Sequence, residues 1–209
     1  MSIIKHNDQR VAIFIDTQNL YHSAKNLYNS KVNFGAIMEK AVGKRKLIRA
    51  VAYVITTEAG DETQFFEALT KIGIETKTKD LKIFYGGAKK ADWDVCIAVD
   101  AIRFAPKVDT IVLATGDGDF APLVNFLKHL GVQVEVISFG RSTSGELREA
   151  CEDFIDMCEN PDDFLINYRK TNTQPGSQKK KISKKPKNKI VENFSSNDNY
   201  GVFTPDEDN

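Results

Sequence analysis

Residues 108–119, VDTIVLATGDGD, run apolar and β-branched from Val108 to Thr115 and then break into two glycine–aspartate pairs. Residues 11–19, VAIFIDTQN, repeat the design, with an apolar run Val11–Ile15 followed directly by Asp16. Short runs that are continuously apolar mark strands buried on both faces, as in a parallel sheet covered by helices. Both strands therefore read as central and adjacent. Each delivers acid at its carboxyl end, which in an open parallel sheet is the edge where ligands bind.

Working outward, helices are expected from about Gln18 to Leu27 and from Phe34 to Val42, and a strand over Leu47–Thr56. Asp61–Ile72 reads as a helix, and Thr76–Tyr85 as one strand or a hairpin turning at Lys79-Asp80. Apolar or small residues at 93, 97, 101 and 104 predict a helix from Trp93 to Phe104. A helix from about Phe120 to Leu130, stopped by Gly131, leads to a strand over Val132–Phe139. A long helix from Ser144 to Met157 and a short one within Pro161–Tyr168 complete the pattern. This alternation predicts an α/β fold with a doubly wound, mainly parallel central sheet and helices on both faces. Residues 1–9 form a lead, 10–170 one domain, and 171–209, poor in apolar residues and without period, a disordered tail with a lysine-rich segment.

At 209 residues, 41% hydrophobic and 28% charged, the chain has the composition of one globular domain plus a tail. Its net charge of zero conceals an asymmetry. Of 29 basic and 29 acidic residues, seven lysines and five acids fall in 171–209, which leaves 22 and 24 in the body. A body near −2 attracts nucleic acid only through local groups or through the tail. Cys96, Cys151 and Cys158 lack metal-site spacing and sit in apolar helical patterns, so they are expected reduced, in or near the core. The polar start and the absence of any long apolar run exclude a signal peptide and a membrane span, and point to the cytoplasm.

A lone aspartate after a strand is an ordinary helix cap, and Asp94 or Asp119 could be no more than that. Asp16, Asp117 and Asp119, with Asp92-Trp93-Asp94 opening another helix, are harder to read singly. Carboxylates about 4 Å apart repel by roughly 4 kcal/mol at an effective dielectric of about 20. A fold tolerates that only with a proton or a cation between them. An all-oxygen set selects Mg²⁺ or Mn²⁺ over Zn²⁺, and carboxylate-held Mg²⁺ serves phosphoryl chemistry. No GxxxxGK[ST], GxGxxG or GxSxG occurs, and Asp16 lacks the second acid two residues on that an aspartyl-phosphate phosphatase needs. His22 and His129 fall within helices and read as surface or cap residues, not ligands.

Three segments, VAIFIDTQNL (11–20), KADWDVCIAVDA (90–101) and LATGDGDF (113–120), resemble in order and spacing the NYN domain of the LabA-like group, which has the PIN-like nuclease fold. Residues 138–154 are similar to that family's last strand and helix, so the resemblance covers about 10–158. It implies that Asp16, Asp94, Asp117 and Asp119 bind Mg²⁺ or Mn²⁺ and are catalytic, and that Asn19 steadies Asp16 or a water on the metal. Asp100 lies six residues beyond Asp94, about 600° around a helix and roughly 9 Å along it, so it supports the site without sharing the ion. The chemistry implied is hydrolysis of a phosphodiester by metal-activated water. A further acid on an early helix, common in such nucleases, has only unanchored candidates in Glu39, Glu58 and Glu67.

The leading expectation is a metal-dependent endoribonuclease with RNA as partner. The alternative is an RNA-binding or regulatory module on the same fold, since the acids do not by themselves prove turnover. A phospho-acceptor receiver is disfavoured, because only one acid stands at the end of the first strand. Candidate substrate contacts are Lys90, Arg141 and Ser144 within the motif segments, and Lys179, Lys180, Lys181, Lys184 and Lys185 in the tail. Neither a homo-oligomer nor a protein partner is excluded.

Overall fold

Val11 to Ile15 are each no more than 1% exposed, and their side chains alternate between two separate cores. Val11, Ile13 and Ile15 enter one, Ala12 and Phe14 the other, which is how a strand covered on both faces divides its residues. The structure, a computed structural model, describes residues 3–56, 63–80, 82–83, 89–90 and 92–168, with the backbone alone at 82–83 and 89–90.

The elements follow in order as β1 (Arg10–Asp16), α1 (Thr17–Tyr28), β2 (Lys31–Val32), α2 (Phe34–Val42), β3 (Lys46–Thr56), α3 (Thr63–Lys71), β4 (Glu75–Asp80), β5 (Lys82–Ile83) and β6 (Lys89–Lys90). Then come α4 (Asp94–Phe104), β7 (Thr110–Ala114), α5 (Ala121–His129), β8 (Gln133–Ser138), α6 (Gly145–Ala150), β9 (Asp153–Asp156), α7 (Pro161–Phe164) and β10 (Leu165–Ile166). Six strands form one sheet in the order β4-β3-β1-β7-β8-β9, every pairing in it parallel. Residues of α1, α2 and α3 pack on one face, and those of α4, α5 and α6 on the other. The doubly wound α/β fold expected from the sequence is the fold found. Strand order reverses between β1 and β7, so the crevice between their carboxyl ends is the topological switch point. Among the described residues no helix is long and apolar enough to cross a membrane.

Two expectations fail. The long helix over Ser144–Met157 stops at Ala150, and Asp153–Asp156 instead adds a sixth strand beside β8. Leu147, Ala150, Cys151 and Phe154 imitate a helical stripe, but the open edge of β8 offers backbone partners that a helix cannot use. Phe154 and Ile155 then turn to opposite cores, while Glu152 Oε2 accepts from Val134 N at 2.8 Å. Over Thr76–Tyr85 the turn does not fall at Lys79-Asp80. β4 pairs with β3 through Asp80, and β5 pairs antiparallel with β6 further on. The helix at Pro161 ends at Phe164, and β10 pairs antiparallel with β2. The cysteines are free and half-buried, as expected, but only Cys96 lies in a helix. Residues 171–209 lie outside the described residues.

Candidate metal centre

Asp16 ends β1 and caps α1, its Oδ1 accepting from Asn19 N at 3.0 Å. Across the switch point, Thr115 Oγ1 follows β7, donates to Asp16 Oδ2 at 3.3 Å and accepts from Asp117 N at 3.2 Å. Asn19 Oδ1 accepts from Gly116 N at 2.8 Å, which ties the first turn of α1 to the loop that carries Asp117. Asp117 Oδ1 accepts from Asp119 N at 3.0 Å and so caps the short turn Gly118–Phe120. Gly116 is required by close approach. A Cβ there would stand 3.1 Å from Thr143 Oγ1 and 3.2 Å from Ser142 O. Asp94 opens α4, anchored by Trp93, whose Nε1 donates to Val54 O at 3.1 Å and whose ring meets Tyr53 edge-on at 5.4 Å.

Asp94, Asp117 and Asp119 each offer a carboxylate oxygen, and these oxygens lie within 4.8 Å of one another. The cleft beside them, about 350 Å³, is lined by Asp16, Asn19, His22, Asp92, Asp94 and Asp117 among others, and among the described residues no lysine or arginine is in that lining. Burial pushes the Asp16 carboxyl up to about 6, with Asp94 and Asp117 adding to the rise against the hydrogen bonds from Asn19 and Thr115. Burial also raises the Asp94 carboxyl, helped by Asp117, Asp92 and Asp119. Carboxylate oxygens gathered with no lysine or arginine beside them among the described lining residues fit a hard divalent ion such as Mg²⁺ or Mn²⁺.

Of the residues singled out from the sequence, Asp16, Asn19, Asp94 and Asp117 line one cleft, and Asp119, exposed, completes the group of three carboxylates. Asp16 falls outside that group. Asp100 is elsewhere, accepting from Tyr53 Oη at 2.6 Å and from Lys77 Nζ. Burial works against its charge, but the bonds from Lys77 and Tyr53 outweigh it and hold the carboxyl below the usual range. Arg141 stacks on Tyr28 at 5.0 Å, toward the last turn of α1, and Ser144 N donates to Gly116 O at 3.0 Å. The Lys90 side chain, Glu58 and the tail lysines lie outside the described residues. Glu39 and Glu67 are exposed and do not line the cleft.

His22, Ser23, Asn26 and Ser142 also line it, a part in the cleft that was not anticipated, as does Asp92 from the segment Asp92-Trp93-Asp94. His22 lines the cleft half-buried, with burial lowering its pKa, and it is not among the three residues grouped for a cation. The signal was present in α1, where Asn19, His22, Ser23 and Asn26 recur at helical spacing as a polar face beside an apolar one.

The NYN domain model matches residues 10–158. The chain is 28% identical over 159 residues to the low amplitude and bright protein LabA of Synechococcus elongatus, covering 71% of this chain and 83% of that protein. It is 26% identical over 192 residues to an uncharacterised protein of Methanocaldococcus jannaschii, covering 88% and 69% respectively. A crystal structure of a protein of unknown function from Vibrio parahaemolyticus superposes with a TM-score of 0.70 at 32% identity, over 78% of this chain and 100% of that one. The family match takes in every strand of the central sheet and all the aspartates of the cleft, and on that extent the chain belongs to the NYN domain family.

Proposed function

We propose that the chain is a divalent-metal-dependent nuclease that hydrolyses RNA. The observation that carries this reading is the convergence of Asp94, Asp117 and Asp119 within 4.8 Å at the switch point of the sheet. A module that merely held a polyanion would gain nothing from concentrated negative charge. Asp94, Asp117 and Asp119 hold the cation, with Asp16 beside them in the same cleft. Bound there, Mg²⁺ or Mn²⁺ supplies the positive charge that offsets phosphate oxygens and makes water more acidic. Asn19 fixes the spacing of the two carboxylate loops by holding Gly116 N, and Thr115 does the same between Asp16 and Asp117.

Purified full-length chain is expected to cleave single-stranded RNA with Mn²⁺ or Mg²⁺ and to stop when EDTA is added. Asp117→Asn is expected to reduce cleavage to background. A double Asp16→Asn, Asp117→Asn variant that cuts as fast as the wild type sinks the assignment.

The body is net acidic, so attraction for RNA rests on local groups or on the tail, where Lys179 to Lys189 supply seven lysines in eleven residues. Each lysine engaged on a single strand adds about 0.7 to the slope of log affinity against log salt, so up to about 5 units are at stake. Removing residues 171–209 should flatten the slope and leave the cut positions unchanged. Equal slopes for the two chains would reduce the tail to a solubilising segment.

A further inference from the structure

The first turns of α1 separate two cavities of opposite chemistry. Asn19, His22, Ser23 and Asn26 face the acid cleft. Thr17 and Tyr21 face a second cavity, about 320 Å³, bounded by the start of α2, the end of β3 and one side of α3. Gln18 lines both, so the two are contiguous around the helix start. Tyr21 and His22 sit edge-on at 5.6 Å, one ring on each side of the divide.

The second cavity is apolar and aromatic. Val54, Ile55 and Leu69 form its buried floor, and Phe34 and Phe65 meet edge-to-face at 5.7 Å in its wall. The amides of Gln18 and Gln64 reach its lining. Its volume is at the lower end of ligand pockets, about 300–1,000 Å³, too small for a folded segment and large enough for a planar ring system. It opens beyond the carboxyl end of β3, on the same edge of the sheet as the acids.

A nucleotide divides its chemistry in the same way, with an anionic phosphate at one end and a flat, weakly polar base at the other. The acid cleft, once it holds a cation, suits the phosphate and repels nothing from the base. The second cavity carries Lys31 and Asn33 at its lining, but its walls are mainly apolar and aromatic and suit an unstacked base, which single-stranded RNA presents to aromatic side chains. We propose that the cavity walled by Tyr21, Phe34 and Phe65 is a subsite for one unstacked nucleobase of the strand whose backbone crosses the acid cleft. This rests on the nuclease reading for its substrate and specifies that substrate as single-stranded. In a duplex the base is paired and cannot reach the cavity.

The test separates the base from the backbone. An uncharged nucleoside is attracted neither by the acids nor by the tail lysines, so its titration followed by NMR reads the cavity alone. Saturable shifts are expected at the ring signals of Tyr21, Phe34 and Phe65 in the full-length chain. Ala68→Trp, on an exposed position of α3 that lines the cavity, is expected to abolish them, and Asp94→Asn to leave them intact. Phe65→Leu keeps apolar bulk without the ring, and should weaken binding about 5- to 150-fold, the range that base–aromatic stacking supplies. No shift at saturating nucleoside, unchanged shifts in Ala68→Trp, or stronger shifts from octanoate than from nucleoside would each overturn the inference. Nucleoside shifts blocked by Ala68→Trp in a chain that cuts no RNA keep the base subsite and discard the nuclease reading. Cleavage that tolerates an abasic residue at every position of the strand does the reverse.

Discussion

Two sets of carboxylates are held by the same sheet in opposite ways. Glu135, toward the amino end of β8, is 0% exposed, and accepts from Arg45 at 2.5 and 3.0 Å and from Lys5 at 2.8 Å. Asp100 has Lys77, Asp109 has Arg10 and Asp156 has Arg148. At the carboxyl end, Asp16, Asp92, Asp94 and Asp117 line a cleft in whose wall no lysine or arginine stands among the described residues. The difference separates acids that the fold uses from acids that it carries. Where a carboxylate serves the architecture, the chain supplies its cation. Asp16 and Asp117 also cap α1 and the turn Gly118–Phe120, yet among the described residues neither is paired with a lysine or arginine, the arrangement that the proposed cation would complete.

The largest effect on stability is expected at the satisfied pair. Arg45→Met strands Glu135 in the core with only Lys5 and the Gln133 amide to meet it, and should cost about 3 kcal/mol, read as a lower urea midpoint. Replacing both members, Arg45→Met with Glu135→Leu, should recover most of that loss, because an apolar pair needs no desolvated charge. A double variant as unstable as the single one would mean that the pair adds net stability, contrary to its being a local neutralisation.

At the unsatisfied set the sign reverses. With metal chelated, Asp16→Asn removes one member of a like-charge group while Asn still caps α1, so the melting temperature should hold or rise. Mn²⁺ at about 100 times its Kd should stabilise the wild type by about 2.7 kcal/mol, and the variant by much less. A loss of several degrees in the chelated variant would place Asp16 with Glu135, as a structural acid.

The sequence reveals this contrast unevenly. β1 and β7 are legible because strands covered on both faces stay apolar throughout, and their acids then fall at the switch point by chain direction alone. The partner of Glu135 is not legible. An acid in the strand QVEVIS announces that it needs a cation, but nothing local says that Arg45, 90 residues earlier, supplies it. β9 is hidden for a related reason. Residues 147–154 carry a helical recurrence, and only the open edge of β8, a feature of the assembled sheet, makes extended backbone the better choice. His22 enters the cleft through the orientation of α1, which follows from packing rather than from motif.

A further predicted effect is a dependence on pH that the two classes of acid should show with opposite sign. Asp16 rises from an ordinary value near 3.8 to about 6 on folding, so the native state keeps its proton to higher pH than the unfolded chain does. Its contribution is full below about 4 and is lost as pH rises through 6. Asp94, also raised, adds in the same direction. Asp100, Asp109 and Asp156 are lowered by their partners, so their contribution is lost as pH falls below the usual carboxylate range. His22, lowered by burial, loses its contribution as pH falls below about 6.5 and overlaps the window of Asp16 with the opposite sign. The informative quantity is therefore the difference between wild type and Asp16→Asn, in which His22 is common to both. In EDTA, the melting temperature of the wild type relative to the variant should fall between pH 4 and 7. With Mn²⁺ present it should not, because the cation takes the place of the proton. A difference that stays flat in EDTA would mean that the Asp16 carboxylate is already compensated within the chain, and would erase the distinction between the two ends of the sheet.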